Sequence, residues 1–189
     1  MICWRCHEKV GGPVCAGCDA IQPPPADPDH FAVLGLPRRW HLDAGEIDRA
    51  WRARSRLVHP DRFAGRSAVE RRMSLQWTAA INGARRALRD PIRRGWYIVT
   101  GEARPREDGR IALDPDFLEQ IFELQVEAQA DPDAVTERAR AMYDQVMADL
   151  DARFTEWEAG GPLDGPAIEE LLARSRYLDN LVNHAGTQP

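Results

Sequence analysis

Two sets of residues in this chain have types and spacing that could do chemistry. The first is His59-Pro60-Asp61, set within Arg56-Leu57-Val58-His59-Pro60-Asp61-Arg62-Phe63. Proline disfavours the right-handed helical region for the residue before it, so a helix arriving from upstream must stop at or before His59. The tripeptide then offers an imidazole, a stiffened backbone and a carboxylate acceptor on a tight, exposed loop. Taken alone, the three residues describe an ordinary helix-ending turn. Their flanks decide whether they are more.

The second set is Cys3, Cys6, Cys15 and Cys18, all the cysteines of the chain, in the spacing C-x2-C-x8-C-x2-C. Each pair can form a knuckle that turns two thiolates inward, and two knuckles complete a tetrahedral sulfur site. Gly11-Gly12-Pro13 supplies the turn between them. So short and loop-like a segment lacks a core of its own, and a metal would supply much of its folding free energy. One zinc ion is expected. Iron is the rival, because sulfur-only ligation suits both, and disulfides are the remaining alternative, disfavoured in a reducing cytoplasm. Four thiolates leave no open coordination position, so the site reads as structural. The module occupies residues 1–22, and residues 23–28, with Pro23-Pro24-Pro25, read as a semi-rigid linker that uncouples it from the rest of the chain.

Elements on both sides must position the tripeptide. Upstream, Ile47, Ala50, Trp51 and Val58 form an apolar stripe at helical spacing, interleaved with Arg49, Arg52, Arg54 and Arg56. Asp43 with Glu46 has the pattern of a capping box and starts that helix. Arg54 falls near the stripe, where its aliphatic stem can snorkel while Leu57 partly fills the gap. Downstream, Ser67 with Glu70 is a second capping box, followed by a stripe of Val69, Met73, Trp77, Ala80, Ile81, Ala84 and Leu88. Paired antiparallel, the two helices raise the tripeptide at their joined tips. A short first helix, His30 to Leu36, and a short one from Ile92 to Val99 complete a domain at 29–100, closed by a linker at 101–113.

The remainder, 114–185, reads as a three-helix bundle, which makes the whole chain all-α. Its first helix opens at Asp114-Pro115 and carries Phe117, Ile121, Leu124 and Ala128 as a core stripe. Leu118, Phe122 and Val126 form a second stripe about a third of a turn away. A bundle helix needs only one stripe, so the second is a candidate docking face, flanked by Glu119 and Glu123. Burial on two sides is the alternative. The next helix, about Pro132 to Glu158, turns Val135, Met142, Val146, Leu150 and Trp157 inward. The last opens at Gly165-Pro166 with Ile168, Leu171, Leu172, Leu178 and Val182 inward and Tyr177 roughly opposite.

The net charge of −5 over 189 residues conceals a polarity. Residues 28–110 carry eighteen Arg against ten acids, whereas residues 114–158 carry thirteen acids against three Arg. Two surfaces with different partners, or two solvated faces, account for that. No apolar window reaches the length of a membrane span, and the first residues lack the pattern of a targeting segment, so a cytoplasmic protein is expected. No phosphate-cradling glycine loop, nucleophile elbow or acid–base pair stands out, which argues against an enzyme.

Helix, His-Pro-Asp loop and second helix have the layout of a J domain, and the chain resembles the HscB family of iron–sulfur co-chaperones. The resemblance runs from about Asp29 to Tyr177. It passes through Phe31-Ala32-Val33-Leu34-Gly35-Leu36-Pro37, the loop, Ile81-Asn82, Leu88-Arg89-Asp90-Pro91 and Tyr177-Leu178-Asp179. It implies that His59, Pro60 and Asp61, with Arg52 and Arg56, dock on an HscA- or DnaK-type ATPase chaperone and stimulate it. It also implies that Leu118, Glu119, Phe122, Glu123, Val126 and Tyr177 face the iron–sulfur scaffold protein IscU. Glu119 stands where the family commonly has Met, and Val126 where an acid is frequent. A similar tetracysteine module is found in family members of animal mitochondria. Two other readings stay open. One is a zinc-dependent nucleic-acid-binding regulator, although no aromatic-rich basic platform accompanies the arginines. The other is a general J protein serving unfolded clients.

Overall fold

The structure, a computed structural model, describes residues 1–104, 111 and 113–184. The described residues form seven α-helices, one 3-10 turn and two isolated antiparallel bridges. Two compact units divide the chain, Met1–Asp90 and Pro91–Pro189. Residues 105–110 and 112 of the expected linker, and residue 185 at the end of the expected bundle, lie outside the described residues.

In the first unit, α1 (His30–Leu34), α2 (Ala44–Val58), the 3-10 turn (Pro60–Phe63) and α3 (Ala68–Arg89) come after the segment that bears the cysteines. Asp29 caps α1, its carboxylate accepting from the Ala32 N–H at 2.8 Å. Asp43 caps α2 by accepting from the Glu46 N–H at 3.0 Å, while the Glu46 carboxylate receives Arg39 Nη2 at 3.0 and 2.9 Å. Ser67 and Glu70 close a full capping box at the start of α3. The structure departs from the expected stripe at its start. Glu70 lies two turns before the buried Trp77 and shares its face, which leaves its neighbour Val69 turned to the outer side, where it is half exposed. The buried face of α3 is instead Glu70, Ser74, Trp77, Ile81, Ala84 and Leu88.

Polar contacts zip α2 to α3. Asp48 accepts from Arg85 Nε at 2.7 Å and pairs with Arg89 at 3.5 Å. The Trp51 indole donates to Asn82 Oδ1 at 2.9 Å, with the Arg85 guanidinium 4.7 Å above its ring. Arg54, which falls on the apolar stripe of α2, fills no core gap. It donates through Nε to the Leu34 carbonyl at 3.3 Å and so caps the end of α1, while Leu57 is exposed. The chain leaves α1 through Gly35 at φ +72°, and a Cβ there would lie 2.2 Å from Arg54 Nη2. Glycine therefore serves both the left-handed turn and the close approach of the guanidinium.

The second unit holds α4 (Pro91–Thr100), α5 (Pro115–Glu127), α6 (Pro132–Glu158) and α7 (Gly165–His184). The packing joins α4 to α7, whereas its place in the chain groups it with the helices before it. Phe117, Ile121 and Leu124 of α5, Val135, Val146, Leu150 and Phe154 of α6, and Ile168, Leu172, Leu178 and Leu181 of α7 are buried. Phe154 takes the inward position expected of Trp157, and the half-buried Trp157 ring stands edge-on to it at 6.2 Å. Leu181 is buried and Val182 half-buried, because the buried face of α7 has settled into three-residue steps by its end, Leu172, Ser175, Leu178 and Leu181. Among the described residues no helix is long and apolar enough to cross a membrane.

Candidate functional site

The His59-Pro60-Asp61 tripeptide sits where α2 gives way to the 3-10 turn. His59 ends α2 with extended backbone (φ −54°, ψ 132°), as the following proline requires. Its Nδ1 accepts from the Asp61 N–H at 3.3 Å, and its carbonyl accepts from the Arg62 N–H at 3.0 Å. The buried Phe63 ring anchors the turn from below. The last carbonyls of α2 are capped by side chains rather than left to solvent. Arg62 Nη1 donates to Arg56 O at 3.3 Å and Leu57 O at 3.1 Å, and the buried Ser74 hydroxyl donates to Val58 O at 2.6 Å. The result is a braced turn with exposed chemistry, the Asp61 side chain being 91% accessible and the His59 side chain 56%. Arg52 and Arg56 lie one turn apart on α2, both exposed.

The four cysteines come together as expected. Their Sγ atoms all lie within 4.8 Å of one another, with Cys3–Cys18 and Cys6–Cys15 both at 3.6 Å. A tetrahedral zinc with sulfurs at about 2.3 Å needs them about 3.8 Å apart, so this donor set fits a tetrahedral thiolate-bound ion. The two knuckles repeat each other at a step of twelve residues. Cys3 N donates to Glu8 O and Cys15 N to Ala20 O, and the bridges Ile2–Lys9 and Val14–Ile21 close the ends. His7 and Asp19, each directly after the second cysteine of a pair, take positive φ values of 64° and 55°. Cys3 and Cys15, with Val10 and Ala20, are buried, so the thiols themselves make most of a small core.

Electrostatics favour one thiolate first. Burial pushes the Cys3 thiol up, but the backbone N–H groups of Cys6 and Arg5 and the neighbouring thiols outweigh it and bring it down to about 6. The N–H near Glu8 pulls Cys6 down, yet Cys18, burial and Cys15 push it up to about 12. Such a cluster does not carry four charges without a cation, which would displace the remaining protons.

Gln22, which carries no signal in the sequence pattern, joins the cluster to the helices. Fully buried, it donates through Nε2 to Cys3 Sγ at 3.4 Å and Ala20 O at 2.8 Å, and accepts from the Trp4 N–H at 3.2 Å. Its backbone carbonyl accepts from the Trp77 indole of α3 at 2.7 Å. The segment after Cys18 is therefore docked on α3, and the expected uncoupling by the proline stretch is corrected. The cause is a buried polar anchor placed before the prolines, which no spacing rule reveals.

In the second unit, Leu118, Phe122 and Val126 are exposed on α5, Phe122 by 66%, with Glu119 and Glu123 exposed beside them. Tyr177 of α7 is exposed too, and its ring meets the buried Phe117 edge-on at 6.5 Å. That contact brings Tyr177 to the flank of α5. The Arg174 guanidinium also lies over the Phe117 ring, 5.0 Å from its centroid.

No protein-family profile matches the chain. Among curated proteins, it is 39% identical over 157 residues to the co-chaperone protein HscB homolog of Bordetella pertussis, spanning 77% of this chain and 92% of that protein. It is 27% identical over 190 residues to the iron-sulfur cluster co-chaperone protein HscB of Mus musculus, spanning 95% and 79%. Among solved structures, human co-chaperone protein HscB superposes with a TM-score of 0.76 at 25% identity, over 98% of this chain and 96% of that one. Chaperone HscB from Vibrio cholerae does so with a TM-score of 0.67 at 26% identity, over 83% and 94%.

Proposed function

The chain belongs to the HscB family of co-chaperones, and we propose that it couples an iron–sulfur scaffold protein to an ATP-driven chaperone. The observation that carries this reading is the exposed His59-Pro60-Asp61 turn, braced by Phe63, Ser74 and Arg62. The turn engages an HscA- or DnaK-type chaperone and stimulates its ATP hydrolysis. Arg52 and Arg56 steer that encounter toward an acidic surface. The face made by Leu118, Glu119, Phe122, Glu123, Val126 and Tyr177 receives IscU, with the apolar side chains supplying area and the glutamates selecting a basic rim. The chain carries its partners together and performs no covalent chemistry itself, so it is not an enzyme. It works in the cytoplasm, where thiols stay reduced.

Zinc held by Cys3, Cys6, Cys15 and Cys18 would cross-link the two knuckles and supply no reaction at a substrate. The Cys3 N–H···S contacts from Arg5 and Gln22 would orient that ligand and offset its charge.

A steady-state ATPase assay of the cognate chaperone, with and without this protein and IscU, tests the reading. Stimulation by the protein, raised further by IscU and lost in His59→Gln with an unchanged circular dichroism spectrum, is the expected result. Full stimulation by His59→Gln overturns the role of the turn. Salt-sensitive binding to DNA without stimulation would favour the nucleic-acid alternative.

A further inference from the structure

The second knuckle reaches the tip of the helical hairpin through one side chain. Asp19 comes directly after Cys18, and its backbone position belongs to the knuckle, with φ 55° and its N–H donating to Cys15 O at 2.9 Å. Its carboxylate reaches two arginines of the hairpin. Oδ1 accepts from Arg62 Nη2 at 3.3 Å and Oδ2 from Arg66 Nη2 at 3.1 Å. Arg62 is the residue after Asp61, and its other terminal nitrogen caps the Arg56 and Leu57 carbonyls of α2. Arg66 lies just beyond the 3-10 turn, its N–H donating to Phe63 O at 3.0 Å. One carboxylate thus holds the turn from inside and from its exit.

We infer that Asp19 is a positioning residue for the His59-Pro60-Asp61 turn, and that metal in the cysteine cluster acts on chaperone stimulation through it. This role rests on the co-chaperone function proposed for the turn. Exposed ion pairs contribute little to global stability, and Asp19 is more than half exposed, so its effect is on where Arg62 sits rather than on whether the hairpin folds. Docking of the module itself does not depend on Asp19, because the buried Gln22–Trp77 bond supplies that separately. The two links are therefore separable by mutation. His7 is the matching residue of the first knuckle, with the same left-handed backbone at φ 64°, and serves as the control.

The test compares full-length, metal-loaded wild type, Asp19→Asn and His7→Asn. Asparagine tolerates the left-handed backbone, so both variants keep the knuckle geometry and remove only the side-chain function. Metal content and melting temperature should be unchanged in both. Asp19→Asn should lower maximal chaperone stimulation about two- to fivefold, the range of an exposed ion-pair coupling, and speed amide exchange at Arg62 and Arg66 to a similar degree. His7→Asn should do neither. Chelation, assayed well below the melting temperature, should bring wild-type stimulation down toward that of Asp19→Asn and leave the stimulation by Asp19→Asn little changed, whereas the fall in melting temperature transmitted through Gln22 should be the same in both. Wild-type stimulation unmoved by chelation overturns the part given to the metal. Equal stimulation and equal exchange in Asp19→Asn and wild type overturn the role of Asp19, as does an equal loss in His7→Asn. If wild type itself fails to stimulate, the co-chaperone reading falls, whereas the exchange comparison still decides whether Asp19 positions the turn.

Discussion

The Trp77 indole N–H donates to the Gln22 carbonyl at 2.7 Å inside the first unit. A residue four places beyond the last cysteine thereby completes the polar needs of the largest side chain in the core of α3. The contact ties the cysteine cluster to α3, because Gln22 also donates to Cys3 Sγ. Trp77→Phe removes the indole N–H together with part of a buried ring, so it should cost about 1–3 kcal/mol for the unsatisfied carbonyl and more for the cavity left in the core. Thermal melts of metal-loaded protein would measure it.

Metal removal should be felt by the same tryptophan. Purified protein is expected to hold one zinc ion, and Cys15→Ser should lose it. Because Gln22 spans both structures, loss of metal should red-shift the emission of the buried Trp77 and lower the melting temperature of the helices. The uptake should also depend on pH. With Cys6 held up at about 12, loading must displace protons, so affinity falls as pH is lowered and protons compete for sulfur. Metal analysis across a pH series and fluorescence during chelation check both outcomes. Iron with visible absorption would replace zinc by its rival.

Gly35 and Arg54 form a matched pair. Gly35→Ala places a Cβ 2.2 Å from Arg54 Nη2 in a backbone at φ +72°. The left-handed conformation alone costs about 1–2 kcal/mol for a residue with a Cβ. Arg54→Leu should relieve the clash without restoring stability, since the Leu34 carbonyl then loses its cap. Denaturant titration of the single and double variants would separate the two effects.

Acid should loosen the hairpin at Asp48. The hydrogen bond from Arg85, with the charges of Arg85, Arg89 and Arg52, outweighs burial and holds this carboxyl below its ordinary value of 3.8. A depressed carboxyl contributes stability above its unfolded value and loses it as pH falls through the folded one. Asp48→Asn should therefore melt below wild type at neutral pH, with the difference shrinking to nothing in strong acid. Paired melts from neutral to acid pH provide the check.

The two stripes of α5 should separate stability from binding. Ile121 is buried, and Ile121→Ala should cost about 2–5 kcal/mol of stability. Leu118→Ala with Phe122→Ala removes exposed side chains, so the melting temperature should hardly move while IscU binding weakens severely. Tyr177→Ala should act like that pair but more mildly, because it sits on a different helix at the edge of the same face, and loss of its contact with the buried Phe117 should add a small fall in melting temperature. Calorimetric titration with IscU alongside melts would decide, and a large melting shift in the double variant with binding retained would put the docking site elsewhere.

Much of this was legible from local rules. Proline set the end of α2 at His59, the cysteine spacing announced two knuckles, and period alone separated Ile121 from Phe122. Those features depend on steric limits and helical repeat, which act within a few residues. Three others depended on partners distant in the chain. Arg54 looks like a flaw in an apolar stripe until the Leu34 carbonyl and Gly35 come beneath it. Gln22 looks like a spacer until Trp77, 55 residues on, takes its carbonyl. Asp19 looks like a turn residue until Arg62 and Arg66 arrive from 43 and 47 residues away. Hydrogen-bond partners are chosen by which groups the fold desolvates together, and only the tertiary structure decides that.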